Sequence, residues 1–372
     1  MRSIEITQPE AGRVEYPDAL AFMYSRQPVI IQCGSTANYD VAVTVTCETS
    51  SAAAYTEKRR MHKGRAEFDI SRIMQTLSRE LDTLLQRIDY TKSVSTAEVF
   101  SLTVRVGSKI VLDLQDGIQA MHGALDAGEL YGIKPLTRRL FLNYPQTINM
   151  WEDSRGDFRI QLGGESFTPD AGEQGAKCKE VNFMQAITGD ALAKLQSGVT
   201  VSGTTTWWLA VRDGSASAMQ KRSITLVPDN TPRKCGAYLR WLNRYGGISY
   251  WLFDRETLET ASSVRETFAR HYEGNPAAPV QGTYMNPEKR NYEETRTQTI
   301  SASNLSKDEH DELCSLLTSP LVEMLEDSAT ETKWYRVNVE AGSLSQKNKR
   351  NTPKLYEFEA ALTLPKRNVA RL

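Results

Sequence analysis

Residues 235–254, CGAYLRWLNRYGGISYWLFD, constrain the fold more than any other part of this chain. Ala237, Leu239 and Trp241 alternate with Tyr238, Arg240 and Leu242. Beyond Gly246 and Gly247, Ile248, Tyr250 and Leu252 alternate with Ser249, Trp251 and Phe253. A period of two on both sides of paired glycines predicts a β-hairpin whose short loop uses positive φ. Both faces are largely apolar or aromatic, so such a hairpin is covered on both sides, inside a sandwich or at a subunit contact. Tyr238, Trp241, Tyr250 and Trp251 are therefore the candidate interface residues.

A chain of 372 residues exceeds one ordinary core and predicts two or three domains. Its formal net charge of −1 excludes a nucleic-acid binder that works through a global basic field. There is no apolar run long enough for a transmembrane helix, and the first residues carry no apolar signal-peptide core, so neither is expected. The five cysteines, at 33, 47, 178, 235 and 314, form no CxxC and imply no disulfide framework. They read as reduced, packed thiols in a chain made in a reducing cytoplasm.

Strand signals dominate, so the expected fold class is mainly β with minor α, in several sandwich or barrel domains. PVIIQC (28–33), YDVAVTVTCE (39–48), AEFDI (66–70) and EVFSLTVRVGSKIVL (98–112) read as strands. Between them, Ile73, Met74, Leu77, Leu81, Leu84 and Leu85 recur at helical spacing. This predicts one helix over 71–86 with Asp69 or Ser71 as its cap. Residues 117–135 read as a long excursion and 166–179 as a loop or arm. Residues 198–214 (GVTVSGTTTWWLAVRDG) read as two alternating strands, and 223–229 (SITLVPD) joins the hairpin in a second β unit. Residues 255–294 read as a long, mostly irregular connection. Ser306 and Glu309 form a capping box for a helix with Leu313, Leu316 and Leu317 along its stripe and Pro320 at its stop. WYRVNVEA (334–341) and LYEFEAALTL (355–364) then alternate strictly, each with one buried face. The expected domains are 1–116, a β-sandwich with one helix; 117–262, a middle β domain with long loops; and 263–372, an α+β unit with a long hairpin.

Taken in order, PVIIQ, CGAYLRWLNRYGGISYWLF, WYRVNVEAG and YEFEAALTLP resemble tail-tip proteins of tailed bacteriophages and prophages, above all distal-tail and baseplate-hub proteins. In that family, β-rich domains of tail-tube type form a ring under the tail tube. The resemblance implies a C-terminal tail-tube-like unit and a structural, non-enzymatic virion protein, made in the host bacterial cytoplasm and carried in the tail. Its implied partners are itself, as a homo-oligomeric ring of three- or six-fold symmetry, and other phage tail proteins. The family offers no catalytic motif to transfer.

The polar tip 342–354 carries Lys347, Lys349, Arg350 and Lys354, which suit an acidic neighbour at the rim of an interface or a solvated turn. No aromatic residue interleaves with them, against single-strand binding. Trp207 and Trp208 adjoin in a strand; an exposed one stacks on a sugar, whereas burial of both fits the size of the side chain. A carbohydrate- or receptor-binding β-sandwich is accordingly the alternative function, with a glycan as partner. His62, His122, His271 and His310 lack ligand spacing, and His310, in a first helical turn, is expected to be exposed. No metal, cofactor, nucleic-acid or membrane role is expected, because no phosphate loop, nucleophile elbow or metal quartet occurs.

Overall fold

The computed structural model describes residues 2–7, 22–24, 29–78, 81–88, 90, 94–95, 98–121, 136–151, 159–167, 178–181, 187, 189–210, 217–233, 236–244, 246–268, 288–326, 333–340 and 355–365. Over these residues the protein is mainly β. It divides into two compact units. One comprises Met1–Cys235, Arg240–Trp251 and Thr318–Leu321; the other comprises Gly236–Leu239, Leu252–Leu317 and Val322–Leu372. The domain boundaries expected near 116 and 262 fall inside the strands Lys109–Met121 and Ile248–Phe268. Among the described residues no helix is long and apolar enough to cross a membrane.

The N-terminal stretch supplies β1 (Arg2–Thr7), β2 (Phe22–Tyr24), β3 (Val29–Gly34), β4 (Asp40–Cys47), β5 (Tyr55–Arg60) and β6 (Arg65–Asp69). Helices α1 (Ser71–Leu77) and α2 (Leu81–Gln86) follow, then β7 (Val94–Ser95), β8 (Glu98–Val106) and β9 (Lys109–Met121). One sheet has the order β1-β3-β6 and a second the order β2-β9-β8-β4-β5. Alternation decides what they bury. Val41, Val43 and Val45 of β4, Leu102 and Val104 of β8, and Ile31 and Phe68 of the other sheet share one core with Met74 of α1. Each is fully shielded from solvent, and each such side chain contributes about 1.5–3 kcal/mol of transfer free energy. The predicted sandwich is thus present.

Its helix is not continuous. Ser78 ends α1 in an extended conformation (φ −59°, ψ 155°), and its amide and hydroxyl both donate to the Met74 carbonyl. A serine that satisfies the last turn's carbonyl competes with the next helical turn. Asp69 does not occupy the N-cap position, which is Ile70, yet its Oδ1 accepts from Ser71 N at 3.0 Å, Ser71 Oγ at 2.7 Å and Val29 N at 3.2 Å.

The middle stretch supplies β10 (Leu136–Phe141), β11 (Ile148–Trp151), β12 (Arg159–Leu162), β13 (Glu165–Phe167), β14 (Cys178–Val181), α3 (Gly189–Gln196), β15 (Val201–Ala210) and β16 (Ser217–Asp229). The sheet β10-β16-β15-β12-β13 carries α3 on one face, where Ala191 and Leu195 pack with Leu140, Ile160 and Leu226. A three-stranded sheet has the order β11-β14-β7. Of the two strands expected over 198–214, Val201–Ala210 form one strand running through Gly203, where a side chain would meet the Gln161 carbonyl, and 211–214 lie outside the described residues. Of the excursion expected over 117–135, residues 117–121 belong to β9, and 122–135 lie outside the described residues. Of the expected arm at 166–179, Ser166 and Phe167 belong to β13 and Cys178 and Lys179 to β14; 168–177 lie outside the described residues.

The last stretch supplies β17 (Ala237–Leu242), β18 (Ile248–Phe268), β19 (Glu288–Leu305), α4 (Lys307–Cys314), a 3₁₀ turn (Ser315–Thr318), β20 (Val322–Leu325), β21 (Trp334–Arg336), β22 (Asn338–Val339) and β23 (Tyr356–Leu364). They form a seven-stranded, nearly closed, barrel-like sheet of order β21-β20-β17-β18-β19-β23-β22. The capping box is present: Ser306 Oγ accepts from Glu309 N, and Glu309 Oε2 accepts from Ser306 N. Phe358, Ala360, Leu362 and Leu364 are buried on one face of β23, as their alternation predicts. Of the connection expected over 255–294, residues 255–268 continue β18 and 288–294 belong to β19, while 269–287 lie outside the described residues. Residues 254–261 are exposed on both faces, so their sequence shows no hydrophobic alternation to read.

Candidate functional site

The hairpin aromatics do not form an exposed interface. Trp241 is 0%, Tyr238 2% and Trp251 5% exposed within the isolated chain. Tyr238 packs against Trp334 at 5.9 Å between ring centroids. Trp251 meets the edge of Phe141 at 5.7 Å, with the Arg139 guanidinium 4.9 Å over its ring. Tyr250 is half-buried and shares a 2.9 Å hydrogen bond with Thr147. The covering of both faces was legible, but the chain itself buries Tyr238, Trp241 and Trp251, so these three are corrected from contact residues to core, while Tyr250 is half-buried. Trp207 and Trp208 lie in β15 opposite Gln220 and Met219. Lys347, Lys349, Arg350 and Lys354 lie outside the described residues.

His310 is also corrected, from exposed to buried: it is 1% exposed. Its ring stacks 5.0 Å from that of Tyr356, and its Nδ1 lies 3.6 Å from Cys314 Sγ. Here α4 lies on β19 and β23, and His310 and Leu313 share its buried side. Burial, followed by the Asp311 charge, raises the pKa of the Cys314 thiol, and burial pushes Cys33 up to about 12. Neither is an activated thiolate. Among the described residues no three His, Cys, Asp or Glu side chains gather as a metal site.

Two features stand open. The first is a two-stranded ribbon. Among the described residues β19 pairs with β23 from Arg296 onward, whereas its pairing with β18 continues from Ala261↔Thr295 to Phe268↔Glu288. The ribbon therefore outruns the sheet by eight positions, about 26 Å of strand. A two-stranded ribbon is marginal alone in water.

The second is a cleft of about 380 Å³ at the mouth of the N-terminal sandwich, between β5 and α1. It arises from one corner. β5 and β6 belong to different sheets, yet a two-residue turn joins them, with Lys63 at φ 51° and Gly64 at φ 75°. A side chain at Gly64 would meet the Ser35 carbonyl. Tyr55, Glu57 and Arg59 stand directly opposite Val45, Val43 and Val41 and so share their core-facing side. At the sheet edge these positions are not covered by the second sheet, and polar residues occupy them. Arg59 spans the corner: Nε donates to Glu57 Oε1 at 2.7 Å, Nη1 donates to the Glu67 carbonyl at 2.8 Å, and the guanidinium sits 5.3 Å over Phe68.

Opposite, α1 lines the cleft with Ile73 and Leu77 as an aliphatic floor and with Arg72 and Thr76 at the rim. Tyr55 and Arg72 are exposed. A phenol, a guanidinium and an aliphatic floor beside a strand edge are recognition groups. The strand 55–60 was missed in the sequence because it is polar throughout; the Lys63-Gly64 pair before AEFDI was the signal for its hairpin. No protein-family model matches this chain, and no curated protein matches it.

Proposed function

We propose that this chain is a structural, non-enzymatic subunit of a phage-type tail tip or baseplate, one that self-associates into a ring and contacts neighbouring tail proteins. The observation that carries the reading is the seven-stranded, barrel-like sheet with α4 laid on β19 and β23 and the β18–β19 ribbon running beyond it. What supports the reading is the sequence resemblance to a tail-tube-type unit, which implies a similar succession of strand, helix, strand and hairpin. On this reading the mechanism is geometric. The sheet sets the shape of each subunit, and the ribbon, marginal by itself, gains partners from a neighbour. A closed ring then repeats modest contacts around an axis.

The test is native mass spectrometry with negative-stain microscopy on the purified chain, intact and with 262–294 replaced by a short Gly-Ser turn. A discrete closed oligomer of three- or six-fold order, lost on shortening the ribbon, supports the reading. A monomer throughout, or a ring indifferent to the ribbon, overturns it.

A further inference from the structure

The corner at β5 leaves one strand edge open, and its hydrogen-bonding phase can be worked out. Met61 N donates to the Tyr39 carbonyl, in the same register as Val41↔Arg59 and Val43↔Glu57. On the other side of β4, Gly107 N donates to the Asp40 carbonyl, in register with Ala42↔Arg105. Odd-numbered residues of β4 therefore bond β5 and even-numbered ones bond β8. In β5, Tyr55, Glu57 and Arg59 spend their backbone groups on β4, while Thr56, Lys58 and Arg60 turn their N–H and C=O groups outward. The matching edge of β6 differs: the outward carbonyl of Glu67 is already capped by Arg59. Among the described residues, the β5 edge at this corner carries no such cap.

The charge around this edge has one sign left over. Glu57 is held by Arg59, and Asp69 Oδ1 already accepts three hydrogen bonds. The remaining charged groups are Lys58 and Arg60, exposed on the outer face of β5 with Asp40 directly opposite Arg60, and Arg72, exposed at the cleft rim that it shares with Asp69; three cations stand against two anions, so the excess is positive. An added strand would lie with one side of its alternation against Lys58 and Arg60 and the other over Ile73, Leu77 and Tyr55.

We infer that the β5 edge accepts an extended segment of a partner protein by strand addition, the segment presenting acidic side chains outward and small apolar ones into the cleft. Main-chain bonds to Thr56, Lys58 and Arg60 supply affinity. The alternation of acid and apolar residue supplies selectivity. The inference rests on the edge geometry and not on the tail-tip reading, so either can fail alone.

The probe is a capped, fluorescent octapeptide of alternating Glu and Val, measured by anisotropy on the full chain, beside the same peptide with Lys for Glu. The Glu–Val peptide is expected to bind saturably, to weaken as salt rises, and to exceed the Lys–Val peptide by about tenfold or more. The surface variant Lys58→Glu/Arg60→Glu, with an unchanged circular dichroism spectrum, is expected to lose about tenfold in affinity. Hydrogen exchange gives the decisive readout: peptide binding should newly protect the amides of Thr56, Lys58 and Arg60. The inference is overturned by absence of binding, by equal binding of the Lys peptide, by binding without new protection at those amides, or by their protection through self-association without peptide, which would make the occupant a second copy of the chain.

Discussion

Arg59→Ala tests whether one side chain holds the corner of the N-terminal sandwich. Three interactions end together. The ion pair with Glu57 involves side chains 53% and 25% exposed, so solvent limits it to about 0.5 kcal/mol. The bond onto the Glu67 carbonyl adds about 1 kcal/mol, and the contact with Phe68, at a partly exposed guanidinium, about 0.5 kcal/mol. The expected loss is about 2 kcal/mol. It should be felt where the corner is, in β5 and β6. Because the chain comprises two compact units, a single global transition is the wrong readout. Urea titration followed by hydrogen exchange on peptides covering 55–60, 65–69 and 356–364 resolves the question. The first two should lose protection and the third should not. Arg59→Lys keeps the charge but lacks the planar fork, and should recover about half of the loss. A double cycle with Glu57→Gln should give a coupling near 0.5 kcal/mol. If Arg59→Ala changes β5 and β6 by less than about 0.5 kcal/mol, or weakens 356–364 equally, Arg59 is not a corner clamp.

Three further outcomes follow from burial and capping. The Cys33 thiol, raised from 9.0 to about 12 when folded, contributes stability that is complete below its unfolded value and is lost as pH climbs from there toward 12. From pH 8 to about pH 10 the wild type should therefore lose about 1.4 kcal/mol more than Cys33→Ala, and equal losses in urea would refute the burial argument. Phe358, 1% exposed and 5.7 Å from Phe253, should cost about 3–5 kcal/mol as Phe358→Ala, read as lost exchange protection in β19 and β23; a cost below about 1 kcal/mol would mean the site collapses around the hole. Ser306→Ala removes the acceptor of the Glu309 amide and should destabilise α4 by about 1 kcal/mol, seen as faster exchange in 307–314; unchanged exchange there would show that packing, not the cap, fixes the helix start.

What the sequence disclosed depended on which physical signal each element carries. Val41, Val43 and Val45 announce β4, and Phe358, Leu362 and Leu364 announce β23, because one buried face stamps a period of two on the residues. Ser306 and Glu309 announce α4 because the capping chemistry is local. The far part of β18 carries no such stamp, since residues 254–261 are exposed on both faces. Helix α3 was illegible for a related reason: only Ala191 and Leu195 of its eight residues are buried, and the carboxylate meeting its first amides comes from Glu165 in another strand. His310 was misread because solvent exposure of a first turn is a rule about isolated helices, whereas Tyr356, some 46 residues later, decides it here. The cleft was invisible because it joins a wholly polar strand to a helix of the other wall.

Burying Tyr238, Trp241 and Trp251 within the chain removes the side chains that ordinarily anchor an interface. What the described residues leave open is main chain: the outward groups of Thr56, Lys58 and Arg60, and the ribbon beyond Arg296. Backbone pairing is insensitive to side-chain identity and therefore indiscriminate, which makes an open edge a liability. Charge is the available remedy. Lys58 and Arg60 repel a second β5 edge brought alongside, and the same two charges attract an acidic strand, so one pair of residues both discourages self-pairing and selects a partner. An edge protected only by its own charge is therefore also an edge addressed by the opposite charge.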